Sequence, residues 1–233
     1  MTKNKTTLLH FLFLVLTTFH VYAQQPGEGD LGGWYMYFGT NKVSEKFSIH
    51  TEAQFRYWET ASNFNQLLLR TGINYHINPN AIATIGYGHI TTDGTFTEPE
   101  NEVNSKEHRI FEQFILKNKV WELGFEHRYR LEQRFLDFGD TTDTQHRARY
   151  RLQVTLPLTQ TFFLNFYDEL FINLQDNLFG QNRLYGALGM HITENSSLQL
   201  GFMRNQFSSA VYNRLQVGFI FNPDLRKKKA STN

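Results

Sequence analysis

Cysteine is absent from the 233-residue chain. Disulfides, thiolate metal sites, iron–sulfur clusters and a lipid anchor on cysteine are therefore excluded. A strong charge of one sign is also missing. The formal net charge of +1 gives no field of the kind that draws in nucleic acid, so no nucleic-acid partner is expected. Beyond the N-terminus no stretch holds eighteen consecutive apolar residues, so no membrane-spanning helix follows. A closed barrel is not excluded by that, because it hides its hydrophobicity in alternation. Proline is scarce at 5, while Phe at 22 and Tyr at 11 are plentiful. Aromatic residues favour strands and proline interrupts them, so the composition points to an all-β chain.

The first residues have the order of a secretory signal. Lys3 and Lys5 precede an apolar run from Leu8 to Phe19, broken only by His10, Thr17 and Thr18, and Val21 and Ala23 supply a small-residue exit. The expected organisation is a signal peptide over 1–23, a lead segment over 24–31, a barrel over 32–222 and a basic tail over 223–233.

Alternation dominates the rest. In "WELGFEHRYRLEQRF" (121–135), Trp121, Leu123, Phe125, His127, Tyr129, Leu131 and Phe135 alternate with Glu122, Glu126, Arg128, Arg130, Glu132 and Arg134. The segments 47–57, 65–77, 146–156, 197–205 and 212–221 repeat the period of two, which is a strand signal. Weaker runs at 34–42, 81–91, 108–117, 161–173 and 183–192 bring the candidates to eleven. Tight turns such as Asn78-Pro79-Asn80 and Thr193-Glu194-Asn195 alternate with longer polar connections at 58–64, 92–107, 136–145 and 174–182. Short turns on one side and longer loops on the other suit a membrane barrel. Single-chain bacterial barrels have even strand numbers. The expectation is therefore an antiparallel transmembrane β-barrel of 10–12 strands, with Gln24 to Leu31 either threading the lumen or adding a strand.

Period two does not say which row faces outward. The mixed signs along 122–134, the facing cations Arg147, Arg149 and Arg151, and rings near the ends of the apolar rows favour apolar side chains toward lipid and charges toward an enclosed lumen. The expected lumen network comprises Arg56, Arg70, Glu122, Glu126, Arg128, Arg130, Glu132, Arg134, Arg147, Arg149, Arg151, Glu169, Arg183 and Arg214. Such a network would either stiffen a filled barrel or line a narrow polar path, and its arginines would favour a small anionic solute.

The layout resembles the outer-membrane barrel proteins grouped as domain of unknown function 2490. The resemblance rests on Trp34, Gln54 with Arg56, Arg109 with Gln113, Arg130-x-Glu132-x-Arg134, Glu169 with Asn173, Gln181-Asn182-Arg183, and glycine-rich closing strands. It covers about 32–222. It implies a barrel in the outer membrane of a Gram-negative bacterium, with outer-membrane lipid, lipopolysaccharide and the barrel-assembly machinery as partners, and it implies no activity.

Two rival readings come from other classes. An outer-membrane hydrolase could use His127, which the alternation assigns to the lipid row, but nucleophilic catalysis needs a serine within reach and that strand has none. The acidic segment Asp137, Asp140, Asp143 and His146 could activate water or hold a cation, as could Asp93, Glu98, Glu100 and Glu102, although neither has a recognised metal spacing. No cofactor is implied. The second rival is a soluble periplasmic β-barrel binder with the rows reversed. At the C-terminus, Pro223 ends the last strand, and Arg226-Lys227-Lys228-Lys229 could touch anionic lipid.

Overall fold

A computed structural model describes residues 25–97, 104–175 and 177–226. The segment expected to be a signal peptide, Glu98, Glu100, Glu102 and Lys227 onward lie outside the described residues. The fold is one closed barrel of eleven strands: β1 (Leu31–Lys42), β2 (Phe47–Tyr57), β3 (Phe64–Asn78), β4 (Ala81–Thr92), β5 (Ser105–Val120), β6 (Leu123–Asp137), β7 (Thr142–Pro157), β8 (Phe162–Asn173), β9 (Phe179–Thr193), β10 (Ser196–Gln206) and β11 (Val211–Phe221). Each strand pairs antiparallel with its sequence neighbour. β1 and β11 close the wall in parallel, from Leu31 opposite Asn213 to Gly39 opposite Phe221. An odd count requires this, because eleven strands joined by hairpins leave the first and last running the same way.

The described residues before β1, 25–30, neither thread the lumen nor add a strand. Gln25 to Asp30 form turns at the rim where β1 begins: the Glu28 N–H donates to Gln25 O at 3.1 Å, and Glu28 Oε1 accepts from the Val211 N–H at 2.6 Å. Leu31 already belongs to β1 rather than to the lead.

The rows face as the alternation requires for lipid. Phe55, Leu69, Ile73, Ile85, Leu131, Phe166, Leu184, Leu200 and Phe202 are exposed on the outside. Glu52, Arg56, Arg70, Arg109, Arg130, Glu132, Arg149, Glu169 and Gln216 are buried within. An exterior of this extent and greasiness is wrong for a water-soluble barrel, so the soluble binder is not supported. Rings cluster near the rims, with Phe47 against Tyr75 at 5.3 Å, Tyr35 against Tyr57 at 6.1 Å, and Phe219 stacked on Phe221 at 6.3 Å. Amphipathic rings sit well where hydrocarbon meets headgroups.

The loops are shorter than the sequence suggests. β5 starts at Ser105, β6 runs to Asp137 and β7 starts at Thr142. Polar residues join strands here because a strand above the hydrocarbon needs only backbone pairing, and water accepts either face. One consequence is that Asp137, Asp143 and His146 are strand residues, leaving Asp140 alone in the turn. Beyond Phe221 the wall continues briefly across the proline: the Lys42 N–H donates to Pro223 O at 2.9 Å and the Leu225 N–H to Lys42 O at 2.8 Å. Pro223 contributes only its carbonyl, which is all an edge position asks of it.

Candidate functional site

Among the described residues, the lumen is where charge is concentrated and buried. Its centre is Glu132 on β6, whose side chain is 0% exposed. Arg147 and Arg149 reach it from β7 at 2.6 and 2.7 Å, Arg109 from β5 at 3.5 Å, Arg130 at 3.7 Å, and Arg70 from β3 at 4.0 Å. The arrangement follows from register. Arg130 stands directly opposite Arg149, and Arg128 opposite Arg151. Like charges so placed repel, and the carboxylates relieve them diagonally. Glu169 on β8 accepts from Arg149 and Arg128 at 2.7 and 2.6 Å, and Glu126 accepts from Arg151 at 2.6 Å.

Two further carboxylates extend the network. Glu52, directly across from Arg70 on the neighbouring strand, accepts from it at 2.9 Å. Glu107 accepts from Arg109 at 2.6 Å and from Arg134 at 2.9 Å. An unbroken ionic chain thus crosses the barrel from β2 to β8: Glu52, Arg70, Glu132, Arg149, Glu169, Arg128. Burying charge is tolerated only when it is paired and hydrogen-bonded, and this half of the lumen meets that condition.

The sequence named most of this network. Glu122 is the correction. It sits in the two-residue turn between β5 and β6, exposed, and meets Lys119 at 3.3 Å. Alternation ends at Leu123, since Trp121 adopts a positive φ of 53° to turn the chain, so parity no longer places Glu122 inward. Sequence reasoning missed Glu107, which lies in a segment read as loop. Extending the inward row back from Arg109 would have found it. Glu52 was visible on the polar row but was not joined to Arg70.

The other half of the lumen is different. No carboxylate projects inward from β1, β9, β10 or β11 among the described residues. Trp34, Tyr185, Ala187 and Met203 form a buried apolar cluster there, with Met36 and Tyr167 against it. Tyr167 stacks on Tyr185 at 4.6 Å. Arg56, Arg183 and Arg214 form no ion pair among the described residues. They rest on rings instead. Arg56 lies 3.8 Å and Arg183 4.9 Å from the Trp34 ring centre, Arg183 also lies 4.6 Å from that of Phe171, and Arg214 lies 4.8 Å from that of Tyr212.

A cavity of about 790 Å³ runs through the lumen, lined by Trp58, Tyr212 and Arg214 toward the rim where β1 begins and by His76, Lys117 and Asn222 toward the other. Eleven guanidiniums line it against four carboxylates: Arg56, Arg70, Arg109, Arg128, Arg130, Arg134, Arg147, Arg149, Arg151, Arg183 and Arg214 against Glu52, Glu107, Glu126 and Glu169, with Glu132 buried behind them. Donors exceed acceptors. Trp34 Nε1 and the Nε atoms of Arg70, Arg128, Arg151 and Arg183 are buried without a partner. Each such orphan costs on the order of 1–3 kcal/mol unless something accepts from it.

The groups considered for catalysis lie elsewhere. His127 faces outward, its Nδ1 2.9 Å from the Tyr150 hydroxyl and its ring stacked on that tyrosine. Among the described residues no serine bonds to it. Asp93 accepts locally from the Thr95 N–H at 3.2 Å, and no three His, Asp or Glu residues among the described ones gather in a metal-binding group.

A family model for "Protein of unknown function (DUF2490)" matches residues 31–216. The chain belongs to the DUF2490 family. No curated protein matches this DUF2490 barrel. Among solved structures it is similar to the NanC porin, at 12% identity and a TM-score of 0.48, over 78% of this chain and 90% of that one. It is also similar to the siderophore receptor PirA from Pseudomonas aeruginosa, at 9% identity and a TM-score of 0.32, over 75% of this chain and 35% of that one. Neither likeness says what the DUF2490 barrel binds.

Proposed function

We propose that this barrel resides in the outer membrane of a Gram-negative bacterium and serves as a narrow, anion-preferring conduit. The apolar exterior suits acyl chains and the lipid of lipopolysaccharide, and such a wall would be delivered by barrel-assembly machinery. The observation that carries the functional reading is the imbalance inside: guanidiniums outnumber carboxylates around a cavity lined from rim to rim. Rings of arginine in a confined aqueous path lower the barrier for anions and raise it for cations. On the side formed by β1 and β9–β11 the cavity is lined by Arg183 and Arg214, which form no ion pair among the described residues and so are free to meet a passing anion.

Planar-bilayer recording tests this. Under a KCl gradient the reversal potential should take the sign of chloride preference. A cation-selective current would overturn the reading. A second reading is favoured by the near-complete burial of Glu132 and Phe111: the network serves only to stiffen a closed barrel, and absence of current at any voltage would support that role instead.

A further inference from the structure

Three side chains lining the cavity stand apart from every ion pair in the lumen. Arg56 and Arg183 both stack on Trp34, so their charges are no farther apart than the sum of 3.8 and 4.9 Å. Arg56 donates only to neutral amides: its Nε to Gln54 Oε1 at 3.0 Å, and a terminal nitrogen to Gln66. Arg183 Nε is buried without an acceptor, and so is Nε1 of Trp34, a residue only 4% exposed. Two like charges and two unmet donors thus gather around Trp34, with neither arginine in an ion pair among the described residues. Beside them lies an aromatic floor, Tyr185 with Tyr167 stacked on it, both lining the cavity.

We infer that this is a binding site for a small organic carboxylate with an apolar body. The carboxylate oxygens accept from the guanidinium of Arg183 and the indole N–H of Trp34, while Arg56 adds charge from the other strand. Planar, forked donors match a carboxylate well. The apolar part lies on the rings of Tyr185 and Tyr167, where it displaces water from apolar surface. A compact inorganic oxyanion would meet the same donors and leave the floor unused. The inference rests on the anion-preferring reading of the lumen and deepens it by naming the class of solute that pauses there.

Titration calorimetry on the folded full chain in detergent micelles tests it, with benzoate, acetate, phosphate and benzyl alcohol as probes. Benzoate should bind saturably and at least tenfold more tightly than acetate or phosphate. Benzyl alcohol, which keeps the ring without the charge and enters micelles more readily than benzoate, should give no saturable heat. Arg183→Gln, which relieves a like-charge contact and so should fold, should weaken benzoate at least tenfold. Trp34→Phe, which keeps the ring and removes the N–H, should weaken it by a smaller factor. Equal binding of phosphate and benzoate, or benzoate binding unchanged in Arg183→Gln, would overturn the site. Conductance is read separately. Benzoate binding without current overturns the conduit and leaves the site, and anion-selective current without benzoate binding overturns the site and leaves the conduit.

Discussion

Replacing Glu132 by glutamine keeps the shape of the side chain and removes the charge on which five arginines converge. Its side chain is wholly shielded, and the two shortest contacts, to Arg147 and Arg149, are 2.6 and 2.7 Å. Removing one partner from a buried pair leaves an uncompensated charge and typically costs about 3–5 kcal/mol. Here the remaining groups also repel one another, since Arg130 and Arg149 are cross-strand neighbours. The expected loss for Glu132→Gln is therefore at the upper end, about 5 kcal/mol. Arg149→Gln should cost clearly less, because Glu132 keeps four guanidiniums. In the double variant the two losses should not add: the coupling should reach about 1–3 kcal/mol. Urea unfolding from lipid vesicles, followed by tryptophan fluorescence, gives these numbers. A Glu132→Gln loss below about 1 kcal/mol, the range of exposed pairs, would mean that water screens the hub and that the lumen is not closed on that side.

Three other outcomes follow from the same geometry. Leu200→Arg on the exterior near the middle of β10 should destabilise the barrel in vesicles by about 2–4 kcal/mol; a neutral result would argue that this face does not meet lipid. Gly218 lines the cavity, and a Cβ built there meets nothing closer than Ile220 Cδ1 at 3.9 Å. Gly218→Trp should therefore fold and sharply reduce single-channel current, whereas undiminished current would place the path elsewhere. Asp224, at the surface beyond β11, is held at about 2 by its hydrogen bonds from Arg226. An NMR titration should find it there, and Arg226→Ala should return it toward the ordinary value near about 3.9. Because the folded value is depressed, whatever stability the pair supplies is present above the unfolded value and lost as pH falls through about 2.

The alternation in the sequence was enough to locate all eleven strands and to sort their side chains into two rows, because period two places Arg130 and Leu131 on opposite faces whatever the rest of the chain does; which row faces lipid came from the mixed charge signs and the rings near the ends of the apolar rows. What local pattern could not supply was partnership across strands. Glu132 and Arg70 lie on strands separated by two others in the sheet order and meet only because the sheet closes. The parallel β1–β11 seam escaped for the same reason, since nothing in either strand's own residues records which strand it will meet. Glu122 went astray where parity was followed one residue into a turn. The large rings inside the lumen were the hardest to read. Trp34, Phe111 and Phe171 occupy inward positions that alternation reserves for polar residues, and only the arginines stacked on them explain why large rings are tolerated there.

The seam between β1 and β11 has a practical corollary. In a barrel of even number both chain ends leave by the same side, and a short peptide can join them to make a circular permutant. Here the first residue of β1 and the last of β11 stand at opposite rims. A joining peptide would have to travel the height of the wall, on the order of 30 Å at about 3.3 Å per residue. The same geometry makes each end a label for a different face, so an epitope fused ahead of Leu31 and another fused after Phe221 would report independently on which rim looks out of the cell.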